Sequence, residues 1–320
     1  MIKFHCPILA LALALSLATA ARSLAAWPTR VFIPYMYLGN GDHFKLTDCD
    51  DAIGVKYYTL AFIIADRQQN PSWYGEIPMS QNYYADQISA VRQRGGDVVC
   101  SFGGADGTEV AIAETDPARL EAKYQSVIDQ YKFTWLDFDI EGDNLDKHAD
   151  ASRRRNSVLA DLQKKNPGLI VSYTLPVDPD GISQSSIDLL SDAKAKGLKV
   201  HSANIMVMYF GADFLRGGTH EGDLGIASAI KAHAQILAVD PSILIGLCPC
   251  IGTNGSHDEI FNQDDAKILR EFADRTGWVC SLSFWSMNRD SEIHHGGDTS
   301  AEIPAQPWDF ANAFKGFTQP

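Results

Sequence analysis

Positive charge is what this sequence is short of: 27 Lys and Arg stand against 40 Asp and Glu, leaving a formal charge of −13 over 320 residues. A chain this acidic has no electrostatic footprint for a nucleic acid backbone or an anionic membrane surface, so neither is expected as a partner. A neutral polymer is indifferent to the charge. Glycine-rich phosphate turns are missing too, since none follows the first candidate strand, and this disfavours a doubly wound nucleotide-binding sheet. No linker, repeat or low-complexity stretch divides the chain. Cys248-Pro249-Cys250 is not a Cys-x-x-Cys pair and no nearby His completes a zinc set, so no metal and no other cofactor is expected.

Long apolar runs are scarce as well. One, Ile8 to Leu17, follows Lys3 and precedes the small residues Ala18-Thr19-Ala20, which is the pattern of a secretory signal peptide over residues 1–20. The run is too short to span a bilayer, and polar Arg22-Ser23 follows it. A secreted, extracellular protein is expected, cleaved near Ala20, with Ala21 or Ala26 as other sites. Loss of Lys3 takes the charge from −13 to −14. Residues 21–320 then suit one large α/β barrel or two ordinary domains, expected as a monomer. Cys6 leaves with the signal. Cys49, Cys100, Cys248, Cys250 and Cys280 are odd in number, so at least one stays a thiol; they are expected as core filler or as one or two disulfides.

Against these absences stands Leu136-Asp137-Phe138-Asp139-Ile140-Glu141-Gly142-Asp143. In a strand over Phe133 to Glu141, side chains alternate between faces, so Asp137, Asp139 and Glu141 share one while Leu136, Phe138 and Ile140 share the other. A solvated acidic edge strand would place Thr or Lys between the acids. Three large apolar residues instead imply that the opposite face is buried, so the acids point into an enclosed site.

Periodicity divides the rest into repeating βα units. Candidate strands are Arg30 to Tyr37, Tyr57 to Ile64, Asp97 to Phe102, Phe133 to Glu141, Leu169 to Leu175, Ala203 to Tyr209, Ile243 to Cys248 and Val279 to Trp285. Eight is the number that closes a parallel barrel. Helical patterns cover Tyr83 to Arg94, Pro117 to Tyr131, Asp150 to Lys165, Ser185 to Lys196, Asp223 to Val239 and Gln263 to Arg275, with start signals at Asp116-Pro117 and Ser183 and stops at Gly95, Gly168 and Gly197. Active sites of such barrels form at the C-terminal strand ends, where this chain carries Ser101-Phe102-Gly103-Gly104, the acid row, Tyr173-Thr174-Leu175-Pro176, Met206-Val207-Met208-Tyr209 and Phe284-Trp285-Ser286.

These strand ends resemble those of family 18 glycoside hydrolases, the chitinases, over nearly the whole of residues 21–320. Ser101-Phe102-Gly103-Gly104 matches the family's SxGG element and Asp137-Phe138-Asp139-Ile140-Glu141 the core of DxxDxDxE. Tyr173-Thr174-Leu175-Pro176, Asn204-Ile205-Met206 and Ser283-Phe284-Trp285-Ser286-Met287-Asn288-Arg289-Asp290 are similar to strands of the bacterial chitinase D-like type. The resemblance implies a single (β/α)8 TIM barrel that cleaves β-1,4-linked N-acetylglucosamine, in chitin or its oligosaccharides, with retained configuration and substrate assistance. It also implies roles. Glu141 would protonate the glycosidic oxygen; Asp139 would hold the acetamido N–H and the oxazolinium charge; Asp137 would share a proton or hydrogen bond with Asp139, supported by Ser101. Trp285 would floor the reacting subsite, with Tyr35, Phe62 and Tyr173 as pocket wall and Met206 beside the substrate.

The chain departs from the family in two places and lacks an insertion that some chitinases carry. Thr134-Trp135 stands where Asp-Gly is usual, putting an indole on the inner face beneath Asp137. The sixth strand reads Met206-Val207-Met208-Tyr209-Phe210 and lacks the family's carboxylate, leaving Tyr209 to offer a hydroxyl and Asp213 as the nearest acid. One lost hydrogen bond in a dry site costs about 1 to 3 kcal/mol, which slows turnover without abolishing it. Between Cys248 and Val279 there is room for a loop and one helix but not for an inserted α+β subdomain, so the groove is expected open and suited to internal cleavage. That loop holds the sequon Asn254-Gly255-Ser256. The competing functions are a carbohydrate-binding barrel without turnover, motivated by the missing acid, and an endo-β-N-acetylglucosaminidase acting on N-glycans.

Overall fold

Short apolar strands alternate with amphipathic helices along the whole computed structural model, which describes residues 26–39, 45–211, 213–215, 220–291 and 300–319. The expected signal segment, residues 1–20, lies outside the described residues. The chain begins with β1 (Val31–Phe32), β2 (Tyr35–Tyr37), α1 (Leu46–Ile53), β3 (Tyr57–Ala65), the hairpin strands β4 (Pro71–Trp73) and β5 (Ile77–Pro78), and α2 (Ala85–Gln93). It continues through β6 (Asp97–Gly103), α3 (Val110–Ala113), α4 (Pro117–Tyr131), β7 (Trp135–Asp139), α5 (Gly142–Asp146), α6 (Ala149–Lys165), β8 (Ile170–Pro176), α7 (Gln184–Ala195) and β9 (Val200–Met206). Then come α8 (Glu221–Val239), β10 (Leu244–Leu247), β11 (Gly252–Asn254), β12 (Ser256–Phe261), α9 (Gln263–Arg275), β13 (Val279–Leu282) and α10 (Asp309–Phe314).

The helices start where local chemistry supplies acceptors for their first N–H groups. The Asp116 carboxylate accepts from Arg119 N–H ahead of Pro117 in α4, and Ser183 Oγ accepts from Ser186 N–H in α7. Asn262 and Asp265 form a reciprocal capping box on α9. Because these signals are local, α4 and α9 occupy the residues expected of them.

The strands run β1-β13-β10-β9-β8-β7-β6-β3, all in parallel, and β2 adds to the free side of β3. One continuous segment therefore touches both ends of the ladder: Ile33 N–H donates to Leu282 O at 2.8 Å, and Thr59 N–H donates to Pro34 O at 2.9 Å. The sheet wraps into a (β/α)8 barrel with helices outside. β7 sits between β6 and β8, not at an edge, so its two faces meet different surroundings. Leu136, Phe138 and Ile140 point outward into the helix layer and are fully buried. Phe138 stacks on Phe102 with ring centroids 5.1 Å apart.

The same outer layer buries an ion pair. Arg155 donates to Glu109 at 2.7 Å with both side chains fully enclosed, and Tyr124 Oη donates to Glu109 at 2.7 Å. Tyr173 belongs to this network, its hydroxyl donating to Asn156 Oδ1.

Between β10 and α9, the expected plain loop is instead a two-stranded antiparallel hairpin, β11–β12. It is far too small to be an inserted subdomain. Asn254 of the sequon is buried, its amide donating to Cys250 O at 2.9 Å and Gly252 O at 3.0 Å, so that side chain is not presented for glycosylation. Cys49, Cys100, Cys248 and Cys280 are buried free thiols, and Cys250 is buried with them; the core-filler expectation holds for the four.

Candidate active site

The barrel interior is layered by the strand register. At the bottom, Val31, Ile33, Val99 and Trp135 form an apolar plug, with Trp27 packed edge-on against Trp135 at 5.0 Å. Trp135 thus lies low on the inner face, as the Thr134-Trp135 departure implied. Its indole N–H donates to Ser172 Oγ at 2.9 Å and so begins the polar layer above.

In that layer Ser101, Asp137 and Ser172 are register partners on β6, β7 and β8. The Asp137 carboxylate accepts from Ser101 Oγ at 2.8 Å, Ser172 Oγ at 2.7 Å, Tyr35 Oη at 2.9 Å and Thr174 Oγ1 at 3.0 Å. Burial raises its pKa, and the four hydroxyl donors counter that rise. Both oxygens accept from hydroxyls, and no hydrogen bond joins Asp137 to Asp139, the contact that the resemblance implied. Asp137 acts on Asp139 through its charge.

One layer higher, Gly103, Asp139 and Thr174 are aligned. Gly103 has φ of 100°, and a Cβ there would lie 2.1 Å from Asp139 O, so only glycine lets β6 approach this closely. Asp139 is 4% exposed, and its Oδ1 has no hydrogen-bond partner. Its pKa is raised well above the usual range, first by burial and then by the charges of Glu141 and Asp137. Protonated Asp139 donates to Glu141, which sits at the rim as the residue before α5. Glu141 is raised in turn, by burial first and by Asp106 across the rim, while the bond from Asp139 pulls it down. Two carboxyls therefore hold one proton at the barrel mouth.

Above them opens a cavity of about 500 Å³. Asp139, Glu141, Tyr35, Phe62, Met206, Tyr209 and Trp285 all line it. Trp285 stacks on Phe62 with centroids 5.5 Å apart and an interplanar angle of 10°, and lies 5.9 Å from Tyr35. Tyr209 stands at the mouth, 54% exposed, beyond the end of β9. Asp213 does not line the cavity.

Ser101 and Asp137 lie beneath the cavity rather than in its wall. Tyr173 is the misplaced expectation: its neighbours Ser172 and Thr174 face inward, so period-2 alternation turns Tyr173 outward, towards α6. Thr174 instead both lines the cavity and bonds Asp137, and its register with Asp139 follows from the same alternation. The rim acids Asp106 and Asp178, with Tyr37, Tyr74 and Cys248, also line the cavity. Tyr37 and Cys248 end candidate strands and Asp106 sits in the glycine-rich stretch after β6, so these three had a sequence signal.

No family model matches the chain. It is similar to the catalytic domain of a hyperthermophilic chitinase from Pyrococcus furiosus, at 30% identity and TM-score 0.78, covering 91% of this chain and 96% of that one. Catalytic-site mutants of active domain 2 of that thermostable chitinase have been crystallised in complex with chito-oligosaccharides. Among curated proteins it is 28% identical over 317 residues to the probable bifunctional chitinase/lysozyme of Escherichia coli (strain K12), spanning 92% of this chain and 35% of that protein. It is also 28% identical over 280 residues to endochitinase 11 of Metarhizium anisopliae, spanning 83% and 53%. The chain therefore spans between a third and about half the length of these curated relatives.

Proposed function

As the chain belongs to the family 18 chitinases, we propose that it hydrolyses β-1,4-N-acetylglucosamine linkages in chitin and its oligosaccharides, with Glu141 as acid and base. The observation that carries this is the Asp139 carboxyl: buried, lining the cavity, bonded to Glu141 through one oxygen and unpartnered at the other. A buried acceptor without a donor is costly, and a bound N-acetyl group supplies the missing N–H.

Once substrate occupies the cavity, Glu141 gives its proton to the glycosidic oxygen as the C–O bond to the anomeric carbon breaks. The acetamido oxygen bonds to that carbon from the opposite face, an intramolecular attack with an effective molarity that can reach about 10⁵ M or more. Asp139 accepts from the acetamido N–H and its charge offsets the positive oxazolinium ion. Glu141, now a carboxylate, takes a proton from the water that opens the ring, and configuration is retained. Charge at Asp139 is set by its neighbour: the pair's one proton moves along their shared bond onto Glu141 before the transfer, which leaves Asp139 anionic under the cation that forms.

The stacked Trp285 and Phe62 floor fits the apolar face of a sugar ring. Tyr209 supplies the hydroxyl at the place where the family's carboxylate is missing. The absence of a walled insertion supports internal cleavage. The signal-like residues 1–20 support export from the cell.

Product analysis on chitohexaose, with a high-mannose glycoprotein as the competing substrate, tests the reading. Shorter chito-oligosaccharides from wild type, none from Glu141→Gln, and an untouched glycoprotein are expected. Equal hydrolysis by Glu141→Gln overturns the assignment, and trimming of the glycoprotein alone moves it to N-glycans.

A further inference from the structure

The β11–β12 hairpin is tied to two parts of the cavity at once. At its root, Trp285 N–H donates to Pro249 O at 2.8 Å and Ile251 N–H donates to Trp285 O at 3.0 Å, so the hairpin grows directly from the backbone of the cavity floor. Arg289, one turn past Trp285, fixes that root by donating to Ile251 O at 3.0 Å and Thr253 O at 2.8 Å. On the far strand, the Glu259 carboxylate, 3% exposed, accepts from Phe210 N–H and from Gly211 N–H, the latter at 3.0 Å.

Those two amides directly follow Tyr209, whose φ of 55° is left-handed and so needs outside support. The hairpin turn lies against the same side chain: a Cβ at Gly255 would sit 3.1 Å from the Tyr209 ring. The Tyr209 hydroxyl is 3.9 Å from Cys250 Sγ. The hairpin thus meets the backbone after Tyr209 and its ring, and Cys250 at the hairpin's root meets its hydroxyl.

We propose that the β11–β12 hairpin is a positioning device for Tyr209, with Glu259 as its clamp: a carboxylate that fixes the strained backbone beside Tyr209 and so holds the ring over the cavity at a set height above Trp285. Glu259 touches no substrate and acts through Tyr209. Only an anionic carboxylate offers two equivalent acceptors to two adjacent amides. The inference rests on the hydrolase reading for its kinetic consequence, though not for its structural one.

Glu259→Gln keeps the shape but presents one acceptor and one donor to two N–H groups. Hydrogen exchange of the whole chain, which needs no substrate, reads the clamp directly. The Phe210 and Gly211 amides should be protected in wild type and exchange at least about tenfold faster in Glu259→Gln, with β7 and β8 unchanged. Displacement of a binding group lowers kcat/KM on chitohexaose by about tenfold to a hundredfold. The pH limits of the rate, which the Asp139–Glu141 pair sets, should stay in place. Tyr209→Ala combined with Glu259→Gln should be no worse than Tyr209→Ala alone. Gly255→Ala, which pushes on the ring from a surface turn and strains a backbone of φ 53°, should reproduce the kinetic loss in a protein that still folds but melts somewhat lower. Unaltered amide exchange in Glu259→Gln overturns the clamp, and losses that multiply in the double variant overturn its action through Tyr209. Fast exchange in a protein that turns over no chitohexaose would keep the clamp and remove the hydrolase reading instead.

Discussion

Asp137 is the residue whose environment is most fully specified. Four hydroxyls hold its charge in a layer that water does not reach, and each resists the rise in pKa that burial imposes. Thr174→Val removes one donor to Asp137 at nearly constant volume. Asp137 should then titrate higher, weakening the charge that raises Asp139, so the Asp139–Glu141 pair titrates lower and the acidic limb of the kcat/KM profile should move to lower pH with activity down by about tenfold. A pH–rate profile checks this, and an unmoved limb would detach Asp137 from the chemistry. Most of the acid row was legible in the sequence because alternation is a backbone property that tertiary context does not alter. What alternation could not reveal was which neighbour each carboxyl prefers, since that depends on hydroxyl rotamers and on distances between layers. At Tyr173 aromatic character suggests a pocket wall, but strand register decides, and it turns Tyr173 outward and Thr174 inward.

Elements with self-contained signals were readable to the residue. The bounds of α9 follow from its Asn262–Asp265 box, and those of α4 from Asp116 and Pro117. Asp116→Ala should lower stability by about 1 kcal/mol, measurable by denaturant unfolding. The end of β9 was not readable, because the apolar run continues past it. Val207 and Phe210 stay buried while the backbone turns, with Val207 N–H donating to Ile205 O at 3.1 Å and Met208 N–H donating to Met206 O at 2.9 Å. The hairpin β11–β12 was equally hidden, since its strands are short and its stabilising bonds are long-range. In the helix layer, the enclosed Glu109–Arg155 pair makes a sharper prediction. Arg155→Met strands a buried carboxylate and should cost about 3 to 5 kcal/mol, whereas the double change with Glu109→Gln should recover much of it. Equal losses in the single and double variants would show that the charge is not what matters there.

The whole molecule carries buried acids outside the cavity, and they set its response to pH. Glu221 is pushed up to about 9 by burial and by Glu259 and Asp265, and Asp290 to about 8 by burial, against the backbone bonds from Ala311 and Phe310. Each keeps a proton in the folded state at a pH where the unfolded chain has lost it. Between about pH 4.5 and 9 the folded state therefore binds more protons, and stability falls as pH rises. Below that window both states are protonated and the effect is absent. Glu114, held down to about 2 by Arg119 and Lys123, has the opposite sign, but its gain is complete by about pH 4.5. Melting temperatures should decline from pH 5 to pH 9, and Glu221→Gln should flatten the decline and raise the value at pH 9. A midpoint that climbs steadily to pH 9 would contradict this. The eight-stranded barrel itself was visible in the sequence because each βα unit repeats the same burial pattern.

The most direct test of the central claim is the anomeric form of the first product, followed by proton NMR as chitohexaose is hydrolysed. Attack by the substrate's own acetamido group, with Glu141 giving and then taking the proton, predicts the β anomer at the new reducing end before mutarotation, and no product from Glu141→Gln. An α anomer appearing first, or an undiminished signal from Glu141→Gln, would contradict the account.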